Sequence, residues 1–372
     1  MKRLGIDARF YGIAGPGRYV SNLLKNLEGK VNFEVYVFLA AKGFNDYQPQ
    51  DKRFHKVQCN VPWYSWLEQI VLPFVFLRYR LDLLHVPHFN FPVLYPGRLV
   101  LTVHDLIIDE FSTERATTKW PFYYRFKRLV YGLVVWWWLV RALKVLVPSQ
   151  FVKRQLIVKY HCSIEKVVVT HEAADLYGGG VYKSWGPYLL YVGSMYPHKN
   201  LERLVKAFIE IKKEGIFSGD LVLAGKDDYF SKRLQQEIKN YGEYAQEIIF
   251  PATKTRDAYI ADSDLIIFYQ NATALVFPSL SEGFGLPPLE AMNLRCPVVA
   301  SCASSVPEVC GDAALYFDPR SVEDIKEKLK KIITDETLRQ DLVRKGLENV
   351  KRFSWGKMAE ETLKVYESCL GS

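Results

Sequence analysis

Short, mostly apolar runs alternate with helix-spaced segments along this chain, and the alternation starts twice. The first series of runs is "RLGID" (3–7), "NFEVYVFLA" (32–40), "DLLHVPH" (82–88), "RLVLTVHD" (98–105) and "KVLVPS" (144–149). Between them, residues 18–28 carry apolar side chains at 20, 23, 24 and 27, the spacing of one helix face. Further helices are expected over 64–79, 119–142 and 149–160. Strands that are apolar throughout are buried on both faces, which requires a parallel sheet covered by helices on both sides. The second series begins after the glycine-rich stretch "VVVTHEAADLYGGGVYKSWG" (167–186). Strands are expected at 188–194, 220–225, 248–252, 274–279 and 297–301, and helices at 200–215, 229–242, 257–270 and 287–294. Three helices close the chain, at 321–335, 336–350 and 354–370, the last beyond the second sheet and free to cross back to the first. The expected class is α/β with two Rossmann-like domains facing across a cleft. Residues 1–170 with 354–372 make the first domain, 171–186 the linker and 187–353 the second. A length of 372 residues suits two domains.

Charge divides along the same line. Residues 1–170 hold 24 Lys and Arg against 12 Asp and Glu, whereas the rest hold 25 against 29. Six of the eight tryptophans also fall in the first part. A basic, Trp-rich half without a nucleic-acid recognition motif argues against nucleic acid as the partner. It suits an anionic lipid surface or a lipid-phosphate acceptor. The twelve apolar residues "LVYGLVVWWWLV" (129–140) would make about 18 Å of helix, too short for a hydrocarbon core of about 30 Å. Two readings stay open: a buried helix of the first sheet, or an interfacial helix flanked by Arg125, Lys127, Arg128, Arg141 and Lys144. The six cysteines form no C-x-x-C pair and no zinc-spaced cluster, so free thiols in a reducing cytoplasm are expected. "MKRLGIDARF" has no apolar signal core.

Four stretches carry candidate chemistry at expected C-terminal strand ends, where open α/β sheets bind ligands. In "FPSLSEGFGLPPLEAM" (277–292), a Gly-Phe-Gly turn opens a helix with prolines in its first turn. The amides of Phe284, Gly285 and Leu286 would offer an anion site. Glu282 and Glu290 would repel a phosphate, so they suit hydroxyls, those of a sugar for Glu282 and of a ribose for Glu290. Donors for phosphates beside acceptors for diols are what a nucleotide-sugar needs. "YVGSMYPHKN" (191–200) places Ser194 after a glycine turn and Lys199 before a helix, as a point charge for a diphosphate. "GIAGPGRY" (12–19) opens the first helix through Gly15 and Gly17, but its spacing is not a nicotinamide fingerprint. His104 in "TVHDL" (102–106) ends a strand. No Asp-x-Asp motif stands at a strand end, so no metal is expected.

Together these features resemble the retaining glycosyltransferases of family 4, with the two-domain GT-B fold. "YVGSMYPHKNLERLVKAF", "ATALVFPSLSEGFGLPPLEAM" and "SSVPEVCGDAALYFDP" carry most of the likeness. "WYSWLEQIVLPFVF" and "DLLHVPHFNFP" are similar to the branch that builds bacterial surface polysaccharides, often with mannose from GDP-mannose. The resemblance implies that Glu282 touches the donor sugar, Glu290 the ribose, the 284–286 amides sugar and phosphate, and Lys199 the diphosphate. It implies that Gly15 and Gly17 approach the diphosphate and that His104 stands near the transferred sugar. Many members carry an arginine where this chain has Ser194, so His198 or Arg203 would substitute, or fewer charges hold the leaving group. Arg295 stands where glycine is common, with only a surface effect expected.

The expected reaction is transfer of a hexose from a nucleotide diphosphate sugar to a glycan or lipid-linked acceptor, with retained anomeric configuration and no required cofactor. The expected location is the cytoplasm, with peripheral contact at the inner face of the plasma membrane as the alternative. The rivals are a nucleotide-sugar epimerase of the same fold and a non-catalytic nucleotide-sugar-binding regulator.

Overall fold

The computed structural model describes residues 1–63, 65–88, 92–107, 132–174, 186–254 and 260–371. Two compact units emerge. The first contains the described residues up to Leu106, those from 132 to Glu172, and those from Ser354 on; the second contains Ile107 and the described residues between Ala173 and Phe353.

The first unit holds seven parallel strands: β1 (Arg3–Asp7), β2 (Glu34–Leu39), β3 (Phe54–Gln58), β4 (Leu83–Val86), β5 (Leu99–Thr102), β6 (Lys144–Val147) and β7 (Val167–Val169). Their order across the sheet is β3-β2-β1-β4-β5-β6-β7. The helices are α1 (Ala14–Leu27), α2 (Ala41–Asp46), α3 (Trp66–Arg78), α4 through 132–141, α5 (Gln150–Tyr160) and, at the chain's end, α13 (Trp355–Leu370). The inner strands are buried throughout, which is why they read as largely apolar runs.

The second unit holds β8 (Tyr188–Val192), β9 (Asp220–Ala224), β10 (Ile248–Ile249), β11 (Ala274–Phe277), β12 (Val298–Ser301) and β13 (Ala314–Phe317), in the order β10-β9-β8-β11-β12-β13. Its helices are α6 (Leu201–Lys213), α7 (Tyr229–Ile238), α8 (Asp262–Asn271), α9 (Leu286–Asn293), α10 (Val306–Cys310), α11 (Val322–Thr334) and α12 (Glu336–Asn349). Both sheets are Rossmann-like. In each, the first strand of the unit neighbours the fourth, so chain leaving those two strands diverges to opposite faces and opens a crevice at their C-terminal ends.

Several boundaries differ from the sequence reading. α1 begins at Ala14, four residues early, because Pro16 fits a first helical turn. The glycine-rich stretch 167–186 opens with β7 at 167–169, an edge strand of the first sheet. β3 and β13 were not expected. β3 is an edge strand with mixed burial and polar residues in its middle, and β13 is a four-residue edge strand only partly buried in its middle. The short α2 and α10 were also unforeseen, and α8 begins at Asp262 rather than 257. Arg125, Lys127 and Arg128, most of the expected linker and the start of the 119–142 helix lie outside the described residues. Among the described residues, no helix is long and apolar enough to cross a membrane.

The terminal helix α13 packs on α1 and closes the first unit. A buried polar chain fixes it there. The Tyr366 hydroxyl lies 2.6 Å from His85 Nδ1, His85 Nε2 lies 2.8 Å from Thr102 Oγ1, and Thr102 Oγ1 lies 3.3 Å from the Tyr19 hydroxyl. Burial first, and then the nearby charge of His104, push His85 down to about 3, so the ring is neutral and accepts from Tyr366. Tyr366→Phe should therefore leave His85 Nδ1 without its donor at a fully buried site. The expected cost is about 1–3 kcal/mol in denaturant unfolding; an unchanged midpoint would remove this chain from what anchors the helix.

Candidate functional site

In the second unit, β8 and β11 are parallel neighbours. The turn after β8 and the loop after β11 therefore start side by side at the crevice. Gly193, at φ 144°, starts the first turn, and a Cβ there would lie 2.9 Å from the Tyr191 hydroxyl. Ser194 follows, its carbonyl accepting from that hydroxyl at 2.5 Å. A short 3-10 turn, Pro197–Lys199, leads to Asn200, which adopts a left-handed backbone at φ 63°. The Asn200 amide donates to the carbonyls of Pro278 and Pro319, at 3.0 and 2.7 Å, which locks this turn to the loop beyond β11. The Leu280 amide donates to the His198 carbonyl at 2.8 Å, a second tie.

These ties bring Lys199 and Glu282 together. Their side chains meet at 2.6 Å with 15% and 9% of their surfaces exposed. The Glu282 amide donates to Ser304 Oγ at 3.0 Å, and the buried Ser305 hydroxyl lies 2.9 and 2.8 Å from the carbonyls of Glu282 and Phe284. The loop is thus held from behind by two serines that sequence reasoning missed. Only the "SS" in "SCASSVPEVC" hinted at them.

Gly285 caps α9 at φ 108°, and a Cβ there would meet nothing nearer than 3.7 Å. The backbone conformation, not space, demands glycine. Pro287 and Pro288 remove two of the four donors that a helix start leaves orphaned. The donors that remain at the helix start are concentrated at Gly285 and Leu286. Phe284 turns its ring into the core, edge-on to Phe353 at 5.6 Å. Glu290 lies within α9, buried, with Oε2 accepting from the Tyr269 hydroxyl at 2.8 Å.

Of the proposed substitutes for a second phosphate clamp, burial and then the Lys199 charge push His198 down to about 4, so it is neutral near pH 7. Arg203 is committed to Asn200 Oδ1 at 2.7 Å. Arg295 is exposed with φ 61°, which explains why glycine suits the position.

In the first unit, the matching crevice lies between β1 and β4. His104 follows β5 and reaches this end. Its Nδ1 lies 2.9 Å from Glu172 Oε1 and its Nε2 3.0 Å from the Pro87 carbonyl. Burial opposes a charge on the ring, but the bond to Glu172, that carboxylate's charge and the Pro87 carbonyl together raise His104 above its ordinary 6.5. Both ring nitrogens therefore face acceptors, as in an imidazolium. Glu172 was missed because it lies 68 residues away in sequence. Gly15 and Gly17 fall inside the first turn of α1 rather than in a loop before it. The Gly17 amide donates to the Ile13 carbonyl at 2.9 Å, and a Cβ on Gly17 would strike the Phe10 carbonyl at 2.4 Å. Gly17 thus serves packing. Gly15 is exposed, and a Cβ there would meet nothing within 4 Å.

Beside these residues sits a charge cluster with no forecast in the sequence. Arg9 donates from Nε and Nη2 to both oxygens of Asp7 at 2.8 Å, and from Nη2 to Glu68 at 2.7 Å. All three are buried. Phe10, next in the chain, stacks between Trp63 and His88 at 4.2 and 4.7 Å. Arg9 thereby fixes the turn that leads into α1.

Residues 183–349 match the family model "Glycosyl transferases group 1", and residues 13–176 match "Glycosyltransferase Family 4". The chain belongs to the glycosyltransferases. It is 28% identical to "O-antigen chain mannosyltransferase B" of Escherichia coli over 388 aligned residues, covering 96% of this chain and 97% of that one. It is 28% identical to "O-antigen chain mannosyltransferase RfbU" of Salmonella typhimurium, over 73% of this chain and 70% of that one. Among solved structures, a sucrose-phosphate synthase from Thermosynechococcus elongatus superposes with a TM-score of 0.76 at 19% identity, over 99% of each chain, which bears on the fold alone. This glycosyltransferase therefore carries, in its group 1 region, the crevice that joins Lys199 to Glu282.

Glu172→Gln should lower the His104 pKa, since burial would then act with less opposition. In the wild type, the stability that His104 contributes is fully present below about 6.5 and is lost as pH rises through its raised folded value. Imidazole titration by NMR should place His104 above 6.5 in the wild type and lower in the variant. Identical titrations would show that Glu172 does not hold the proton.

Proposed function

We propose that this glycosyltransferase moves mannose from GDP-mannose to a glycan or lipid-linked acceptor in surface-polysaccharide synthesis, with retention at the anomeric carbon. The choice of mannose rests on the two O-antigen mannosyltransferases to which the chain is similar. The single observation that carries the reaction class is the Lys199–Glu282 pair at the crevice between β8 and β11. A cation and an acid on one ligand face suit a molecule with a diphosphate at one end and hydroxyls at the other.

In this reading, the diphosphate draws Lys199 away from Glu282 and takes the amides of Gly285 and Leu286. The released Glu282 then accepts from a sugar hydroxyl. Glu290 accepts from the ribose. The bond from C1 to the leaving phosphate oxygen breaks as the bond from C1 to the acceptor oxygen forms on the same face. The proton of the acceptor hydroxyl passes to the departing phosphate oxygen. Lys199 and the α9 N-terminus stabilise the charge that develops there. In the first unit, His104, held by Glu172, offers Nε2–H to a sugar hydroxyl reaching that unit's crevice, by exchange from the Pro87 carbonyl. Gly15, exposed in the first turn of α1, leaves room for a ligand of the first unit. No cofactor is needed, and the work is done in the cytoplasm at the inner face of the plasma membrane.

Transfer assays with a panel of nucleotide-sugars test this directly. GDP-mannose with an acceptor glycan should give a product whose anomeric proton reports the donor's configuration. An epimerised sugar in the absence of acceptor would instead establish the epimerase. Glu282→Ala should abolish transfer with the fold intact, and near-normal turnover would remove Glu282 from the mechanism. Lys199→Ala should weaken nucleoside diphosphate binding by about 2–3 kcal/mol in calorimetry; unchanged affinity would refute its role.

A further inference from the structure

Helix α3 is built inside out. Its one acid, Glu68, is fully buried against Arg9. Apart from Arg78 at its last position, its exposed side chains are Trp66, Leu67, Ile70, Phe74 and Leu77, all apolar, with Trp66 86% and Phe74 71% exposed. At about 100° per residue these five fall in one stripe roughly 100° wide. A solvated helix face would carry charged residues there.

Helix α4 repeats the pattern. Leu133, Trp136, Trp137 and Val140 recur at intervals of three and four and are all exposed, Trp136 by 50%. Val135, Trp138, Leu139 and Ala142 face the core. The two stripes are joined. Gln69 Oε1 on α3 accepts from the Val93 amide at 2.9 Å, and Trp137 Nε1 on α4 donates to the Val93 carbonyl at 3.1 Å. Leu94, 79% exposed, follows at that junction. The combined apolar surface is on the order of 1,000 Å², against roughly 300–600 Å² for the largest patch of a typical monomer.

The border is basic. Arg78 ends α3, Arg80 follows two residues on, and Arg98 precedes β5. Arg141 ends α4, with Nη2 on the Pro96 carbonyl at 2.9 Å, and Lys166 Nζ donates to the Val140 carbonyl at 2.9 Å. Two acids lie nearby. Asp82 is occupied by Lys2 and the Arg3 amide, and Glu165 is exposed near Lys144 and Lys166. A protein partner's footprint would carry polar side chains among the apolar ones; neither stripe has one. Aromatic and aliphatic side chains inside a border that is mainly cationic among the described residues are the composition of a helix face that lies in a lipid headgroup layer.

We propose that the outer faces of α3 and α4 form a docking face for an anionic phospholipid bilayer. The proposal rests on the reading that the acceptor is lipid-linked, and it gives that reading a physical basis. α3 begins at the strand ends where Trp63, His88 and His104 gather, so one end of the face adjoins the first unit's crevice.

The test uses the full chain and two double variants, Ile70→Gln with Phe74→Gln, and Trp136→Gln with Trp137→Gln. The first exchanges exposed side chains only, so thermal unfolding should not fall. Wild type should sediment with vesicles of phosphatidylglycerol and phosphatidylcholine and release as salt rises. Each double variant should lose at least tenfold in partitioning, and transfer to a vesicle-borne acceptor should fall while transfer to a water-soluble acceptor holds. Variants that sediment like the wild type would overturn the proposal. So would a wild type that ignores vesicles and forms a dimer which the variants dissociate, since a second copy would then cover the face. Vesicle binding without any donor binding would instead sink the proposed function and leave the docking face standing.

Discussion

The contact between Lys199 and Glu282 depends on one topological fact, that β8 and β11 lie side by side in a parallel sheet. Chain leaves these strands in opposite directions, so two turns far apart in sequence share one crevice. Asn200 then ties them, with a backbone that residues other than glycine rarely adopt and an amide that spans two carbonyls. Remove that geometry and the lysine and the acid become two ordinary surface charges. Near burial makes the pair responsive. A lone carboxylate there would be costly, so Glu282 needs a partner, whether the lysine or the hydroxyl of a ligand.

The first unit uses the same topology with its charges buried more deeply. Arg9 sits just beyond β1 with both Asp7 oxygens and Glu68, and its pKa ends up raised although burial alone would lower it. This cluster does more than hold a turn. It draws the only acid of α3 inward, and so leaves the outer face of that helix to Trp, Leu, Ile and Phe. Site geometry at one end of the sheet and surface chemistry along its side thus have one origin.

What could be read from the sequence follows from the range of each signal. The buried strands β4, β5, β11 and β12 were plain, because a strand covered on both faces is apolar at nearly every position. The corner at 282–290 was legible because its glycines and prolines act within a few residues. Edge strand β3, with His55 and Lys56 in its middle, carried no such mark. Pairings across long sequence distance were invisible: Arg9 with Glu68, His104 with Glu172, and Lys199 with Glu282, which the sequence read as two separate ligand groups. Periodicity located α3 but could not tell which side faced inward, since the helix is apolar on both. Gly17 was read as making room for a ligand, yet it makes room for the Phe10 carbonyl.

The claim that everything functional rests on is that a nucleoside diphosphate sugar binds in the second unit at the C-terminal ends of β8 and β11. An open depression of about 500 Å³ at the opposite strand ends, lined by Pro187, Thr273, Arg295 and Arg339, offers a competing place for a ligand. A crystal structure with an unreactive nucleotide-sugar separates the two. The expected result is a diphosphate within hydrogen-bond reach of the Gly285 and Leu286 amides, with Lys199 Nζ moved from Glu282 to a phosphate oxygen. Density for the donor in the depression beside Arg295, with the Lys199–Glu282 contact unbroken, would contradict it.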